Sequence, residues 1–493
     1  MTTRPSQSLF EAFQATTTTS TTPPPPPPSI EAIDPAAYTK PFIDFISNNP
    51  TVYHAVNHFE HRLDSAGFSK LSERDTWDLK LGGKYYFNRN SSGLIAFKIG
   101  KGYKPGNGAV IIAAHIDALT AKVKPISSKP VKNGFQQVGV AQYGGALNQT
   151  WWDRDLSIGG RVFVKDSKGK IHEKLVRLDW PVARIPTIAP HFGLRAEGQS
   201  NQETRMVPII GLDNSDLESK DYPLAGVNSF IAAHPPSLVK AIAGELSISD
   251  YSTIINWDLE MYDSQPAQLG GLNKEFIFAG RVDDKLCSFA ALEALIADTS
   301  DTTSGTISIA GLFDDEEVGS KLRQGANSNF LPSTIERIIE SFADKSSTST
   351  NLLYQTYANS FMVSADVCHA YNPNYDDVYL KDHTPRLNVG VAVSFDSNAH
   401  MTTDGVSSTI FNRIAEKSGS QVQVFQIRND SRSGGTVGPM LSSKTGIRAI
   451  DAGIPQLSMH SIRATTGSLD PGLGVKLFKG VYEHFHAVDQ EFV

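Results

Sequence analysis

Apolar residues recur along this chain in short unbroken runs: A-V-I-I-A-A (109–114), T-I-S-I-A-G-L-F (306–313), N-L-L-Y and F-M-V-S-A (351–365), L-N-V-G-V-A-V-S-F (387–395) and V-Q-V-F-Q-I (422–427). Continuous rather than alternating apolarity predicts strands covered on both faces. Helical spacing separates the runs, over Ser288 to Ala297, Val406 to Lys417 and Val475 to Phe485. Two further helical pieces fill Lys40 to Phe68 and part near Pro50. This alternation predicts an α/β fold, a doubly wound mixed sheet flanked by helices.

At 493 residues the chain exceeds one compact core, so two domains or one large insertion are expected. Between about 121 and 272 the texture changes to short alternating strands such as R-V-F-V-K and K-L-V-R-L, with many turn residues. That stretch is expected to be an inserted, mainly β domain. It would split the catalytic domain into residues 30–120 and 273–493.

Residues 1–29 stand apart, because threonine and proline runs cannot bury a core and predict a disordered extension. Within them, S-L-F-E-A-F-Q-A would place Leu9, Phe10 and Phe13 on one face of a short amphipathic helix. It reads as a frayed terminus or as a docking helix on a flexible tether. No charged segment followed by an apolar one opens the chain, so no secretory signal is expected.

The net charge of −7 offers no general attraction to phosphate backbones, which argues against a nucleic-acid partner. No apolar run reaches the roughly 18 residues that a membrane-spanning helix requires. Two cysteines, Cys287 and Cys368, exclude a disulfide framework and suit synthesis in the cytoplasm.

The chemistry lies where the runs stop. A-V-I-I-A-A leads into His115 and Asp117, T-I-S-I-A-G-L-F into Asp314 to Glu317, and F-M-V-S-A into Asp366. F-I-F-A-G-R-V leads into Asp283 and Asp284, and I-P-Q-L-S-M into His460. Open α/β sheets bind ligands beyond the carboxyl ends of their strands, so these groups are expected to converge. His115, His460, Asp283, Glu317 and Asp366 outnumber the three protein ligands of one catalytic zinc. They suffice for two cations if one carboxylate bridges. Of the adjacent Glu316 and Glu317, one would bind metal while the other takes a proton from water. Asp117 is placed to orient the His115 ring. Each junction alone also reads as a solvated turn or a surface histidine; five in one domain favour a dinuclear site.

These segments resemble the M18 metallopeptidases, a family of zinc-peptidase type. The resemblance runs from about residue 35 to the C-terminus. It rests on H-I-D-A-L-T-A-K-V-K-P, T-W-W-D-R-D-L-S, G-R-V-D-D-K-L, D-D-E-E-V-G-S, S-A-D-V-C-H-A, N-D-S-R-S-G-G-T-V-G-P and G-I-P-Q-L-S-M-H-S-I-R. The resemblance implies that His115, Asp283, Glu317, Asp366 and His460 bind two divalent ions, zinc by expectation, with Asp283 bridging. It implies Glu316 as general base, Asp117 as the orienting group and His191 as a residue reaching a neighbouring subunit's site. It further implies a tetrahedral dodecamer whose inserted domain makes dimer contacts and a lid. The implied reaction is release of N-terminal residues from peptides by a metal-bridging hydroxide.

The sequence is closer to the vacuolar aminopeptidase I type than to the aspartyl type. Aspartyl members carry a lysine where this chain reads Phe395 to His400 without a cation, so neutral or hydrophobic N-terminal residues are expected. Resemblance to the vacuolar type also implies an autophagy receptor for the N-terminal segment and delivery to the vacuole. The rival readings are an acidic-residue aminopeptidase, a catalytically weak cargo or scaffold protein, and a related dinuclear carboxypeptidase or deacylase. Lys285, beside Asp283 and Asp284, has no assigned role.

Overall fold

The computed structural model describes residues 33–192, 201–213, 229–300, 305–343 and 349–492. The expectations for residues 1–29 lie outside the described residues.

From the N-terminal side, helices α1 (Thr39–Asn48) and α2 (Val52–Ser65) lead into strands β1 (Ser69–Lys70), β2 (Lys84–Arg89), β3 (Gly93–Ile99) and β4 (Ala109–His115). Next come β5 (Thr120–Ser128), β6 (Phe135–Tyr143), β7 (Leu156–Lys165), β8 (Ile171–Arg177), β9 (Ile209–Leu212), α3 (Pro236–Glu245) and β10 (Ile254–Asp263). The chain continues through β11 (Gln268–Gly270), β12 (Phe276–Ala279), α4 (Val282–Ala297), β13 (Ile307–Phe313), α5 (Phe330–Phe342) and α6 (Ser349–Ala358). It then forms β14 (Phe361–Ser364), β15 (Cys368–His369), β16 (Val391–Phe395), α7 (Gly405–Ser418), β17 (Val422–Gln426) and α8 (Val437–Thr445). The last elements are β18 (Arg448–Gly453), β19 (Pro455–Gln456), β20 (Ala464–Gly467) and α9 (Asp470–Asp489).

The main sheet has nine strands in the order β1-β2-β3-β13-β4-β14-β18-β16-β17. Its centre, β13-β4-β14-β18, is parallel, while β3 and β16 pair antiparallel at either side. Along β4 every residue is buried. Successive side chains enter opposite cores: Val110, Ile112 and Ala114 pack with α4, α7 and α9, whereas Ala109, Ile111 and Ala113 pack with α5 and α8. The mixed, doubly wound sheet flanked by helices is therefore the expected fold.

Four local expectations are corrected. N-L-L-Y lies in α6, not in a strand. β17 is an edge strand and stays half-buried. β12 belongs to a small antiparallel sheet with β11 and β20, outside the central one. R-V-F-V-K falls in the ten-residue β7, which is buried along nearly its whole length. One face of β7 enters a core with Leu156, Ile158 and Val162, and the other meets α2, where Arg161 lies 4.4 Å from the Tyr53 ring centre.

The residues from Thr120 to Asp263 build a six-stranded sheet, β8-β7-β10-β5-β6-β9. Its core is closed by α3 through Leu238, Val239 and Ile242. Among the described residues, no helix is long and apolar enough to cross a membrane.

Candidate metal centre

Three central strands stop at one rim. Phe313 pairs with His115, and Ser364 with Ala113, so the segments after β13 and β14 emerge beside His115. Asp283 enters from the first turn of α4, preceded by Arg281 in the left-handed region (φ 60°). His460 comes from the loop after β19, also left-handed at φ 62°. Asp315, just ahead of Glu316, has φ 63°. Such conformations are costly for residues with side chains and persist where surrounding structure enforces them.

All five predicted ligand residues converge. His115 Nε2 lies 3.2 Å from Asp283 Oδ1 and 3.5 Å from Asp366 Oδ1. His460 Nε2 lies 3.5 Å from the other oxygen of Asp283, Oδ2, and 3.6 Å from Glu317 Oε2. Asp283 thus stands between two donor groups, one around His115 and one around His460. Glu316 Oε2 is 3.8 Å from His115 Nε2. Asp117 Oδ1 sits behind the ring, 3.3 Å from Nδ1.

The sequence reading placed Asp284 among the converging groups but gave it no role. Its carboxylate is fully buried beside His115 and Asp366 and accepts from the backbone N–H of His115 at 3.4 Å and of Cys287 at 3.2 Å. Adjacency to Asp283 was the available signal. Tyr143 was missed; its hydroxyl donates to Asp117 Oδ2 at 2.7 Å. No periodic pattern marks it, only its place before Gly144 and Gly145.

Crowded acids set the electrostatics. Burial, reinforced by the negative charges of Asp366 and Asp117, pushes Glu316 up to about 8. Burial and the charge of Asp283 push Glu317 up to about 10. Burial favours neutral His115, but Asp366, Asp117 and Asp283 outweigh it and raise the imidazole well above its usual value. Among the described residues, buried Glu317 Oε1 has no hydrogen-bond partner. A cluster of carboxylates whose charges raise one another's pKa, with an unpaired oxygen and two imidazoles, fits divalent cations bound through oxygen and nitrogen. Against Asp283, Glu317 and His460 lies a cavity of ≈30 Å³, walled also by Glu260, Lys285 and Gln456.

His191 is not brought to this cluster: it is exposed, in a short 3-10 turn at Pro190–Phe192, and stacks beside Phe192. Lys285 has a structural account. Buried at the start of α4, its Nζ donates to the carbonyls of Asn49, Pro50 and Thr51 at 2.8, 3.0 and 3.3 Å, fastening the α1–α2 connection. The Phe395–His400 segment lines a separate cavity of ≈320 Å³, to which Arg428 and Arg432 also contribute. That cavity is therefore not free of cations, as the sequence reading assumed for this segment alone.

Residues 45–482 match the peptidase family described as aminopeptidase I zinc metalloprotease (M18). The chain belongs to the M18 family. As an M18 member it is a metal-dependent aminopeptidase, a hydrolase of peptide bonds. It is 46% identical over 462 residues to vacuolar aminopeptidase 1 of Saccharomyces cerevisiae, covering 92% of this chain and 89% of that one. It is 38% identical over 475 residues to an aspartyl aminopeptidase of Aspergillus oryzae, covering 90% and 95%. Among solved structures, the M18 fold here matches the S. cerevisiae mApe1 dodecamer with TM-score 0.81 and 41% identity, over 93% of this chain and 99% of that one. It matches the Ape4 and Nbr1 complex with TM-score 0.87 and 37% identity, over 93% and 88%.

Proposed function

We propose that this M18 chain is a dinuclear aminopeptidase favouring neutral or hydrophobic N-terminal residues, with Asp283 bridging two divalent cations. The observation that carries the reading is the split allegiance of Asp283: Oδ1 faces His115 and Oδ2 faces His460. His115 and Asp366 would hold one cation, Glu317 and His460 the other. Cations bound there, zinc by family, would polarise the scissile carbonyl and acidify a shared water.

The chain's own groups do the rest. Asp117 accepts from Nδ1 of His115, which turns Nε2 toward the acids. Glu316 takes the water's proton and returns it to the leaving amine. His191 would reach a neighbouring subunit's site and steady the oxyanion, a role supported by its exposure and by the dodecameric relative. An inserted sheet spanning 121–272 would carry the dimer contact and the lid. Mixing His191→Ala with Glu316→Gln subunits should restore activity that neither variant has alone.

Side-chain preference rests on Phe395 to His400, which supplies no cation. Asp396, nearly buried and 2.9 Å from His400, would repel an acidic substrate. Arg428 is engaged by Asp430 at 2.7 Å. Exposed Arg432 in the same cavity favours the second reading, an acidic-residue aminopeptidase. The N-terminal segment would bind an autophagy receptor for vacuolar delivery, as the Ape4 and Nbr1 complex suggests by analogy. Deleting residues 1–22 should abolish that binding and spare peptidase activity.

The decisive experiment combines metal analysis with leucyl and aspartyl chromogenic substrates, before and after chelation. Two zinc ions per chain and faster leucyl hydrolysis, lost on chelation, are expected. Full activity without divalent ions overturns the dinuclear reading, and a preference for the aspartyl substrate overturns the specificity.

A further inference from the structure

Residues 143–150 leave the inserted sheet at the end of β6 and cross both halves of the acid and imidazole cluster. At the first end, Tyr143 is buried and donates to Asp117 Oδ2 at 2.7 Å and to Asp315 Oδ1 at 3.3 Å. Asp117 also accepts from His115 Nδ1 at 3.3 Å and from the backbone N–H groups of Glu316 and Glu317, each at 3.2 Å. A carboxylate offers about four acceptor positions, so this one is filled. The phenol is the shortest of the four contacts and the only one from the inserted sheet.

Gly144 follows with φ +61°. A Cβ there would lie 3.1 Å from Cβ of Glu317 and 2.5 Å from Cδ2 of Leu119, so only glycine lets the strand end press against Glu317. At the second end, Asn148 Nδ2 donates to the carbonyl of His460 at 2.8 Å, and Thr150 Oγ1 accepts from the N–H of Ile462 at 2.9 Å. His460 has a left-handed backbone that something must hold. Asn148 does so.

We propose that Tyr143 and Asn148 are positioning residues through which the inserted sheet sets the geometry of the metal centre. Tyr143 fixes Asp117, and through it His115 and the amides of Glu316 and Glu317. Asn148 fixes the loop that presents His460. The inference rests on the dinuclear reading above and adds that the site is completed by the inserted sheet of the same chain.

The test uses the zinc-loaded, assembled enzyme and a chromogenic chelator that reports metal release. Loss of a partner behind a ligand weakens binding by roughly tenfold or more. Tyr143→Phe should therefore speed release of all the metal by about that factor, while Asn148→Ala speeds only the half held by His460. Both should lower kcat with KM nearly unchanged, because neither side chain contacts substrate. Assembly should stay as in the wild type in both variants, and the melting temperature of the metal-free protein should stay so in Asn148→Ala, whose contact is exposed. In an Asp117→Asn background, Tyr143→Phe should add little, since both act through one contact.

Wild-type release rates in both variants, or full additivity with Asp117→Asn, overturn the inference. Should Tyr143→Phe not fold, Asn148→Ala carries the test alone, and a uniform rather than half-site effect overturns it. A wild-type enzyme that works without metal would instead undo the dinuclear reading.

Discussion

Asp117 Oδ1 lies 3.3 Å from Nδ1 of His115, and this contact decides which edge of the imidazole meets the acids. Burial opposes charge on Asp117, yet the hydrogen bonds from His115 and Tyr143 hold the carboxyl below its usual range. An asparagine there would turn an N–H₂ toward at least one donor. Asp117→Asn should weaken metal binding and lower kcat by roughly 10- to 100-fold, as read by chelator competition and initial rates.

Glu316 stands near the ligands without being needed to hold either group. Glu316→Gln should retain bound metal and assembly while kcat falls by roughly 10²- to 10⁴-fold. Metal content measured beside steady-state kinetics checks this, and near-normal turnover would remove Glu316 from the proton-transfer role.

Lys285 is a matter of stability rather than catalysis. Lys285→Met keeps an unbranched stem one atom shorter but strips donors from the carbonyls of Asn49, Pro50 and Thr51. A buried acceptor left unpaired costs about 1–3 kcal/mol. Urea unfolding of the metal-free protein should show an unfolding free energy lower by an amount in or above that range, and so a lower midpoint. An unchanged midpoint would show that water replaces the ammonium without loss.

Three histidines predict sensitivity to acid. Burial, helped by the charges of Lys285 and Arg177, lowers His54 to about 3. Burial and Arg62 lower His58 to about 4, and burial alone lowers His234 to about 4. Each is depressed in the folded state, so the unfolded chain binds protons first as pH falls below about 6.5. The stability these neutral rings contribute is present above that pH and is lost progressively down to about 4 for His58 and His234 and about 3 for His54. The share of these three rings, up to three protons taken up on unfolding, is read as the difference between the urea midpoints of wild type and histidine variants across these pH values. Replacing His234 by Gln should remove one of these protons.

Much of the centre was legible because apolar strands that end in ionisable residues have few other uses. β4, β13 and β14 are buried on both faces, so their sequences are apolar throughout and their ends stand out. N-L-L-Y misled because four apolar or neutral residues cannot distinguish strand from helix. The β7 strand misled because its outer face is covered by α2, a contact that no local pattern encodes. Lys285, Tyr143 and Asn148 were opaque for the same reason. Their partners lie far along the chain, as with the separation of 312 positions between Asn148 and His460.

The cluster gathers residues from both sides of the inserted sheet: His115 precedes it, and Asp284 follows His115 by 169 positions. His460 is the last of the five predicted ligand residues in chain order. A chain that reaches only Asp366 therefore holds one imidazole of the cluster with its acids, and the second imidazole joins only through the loop after β19.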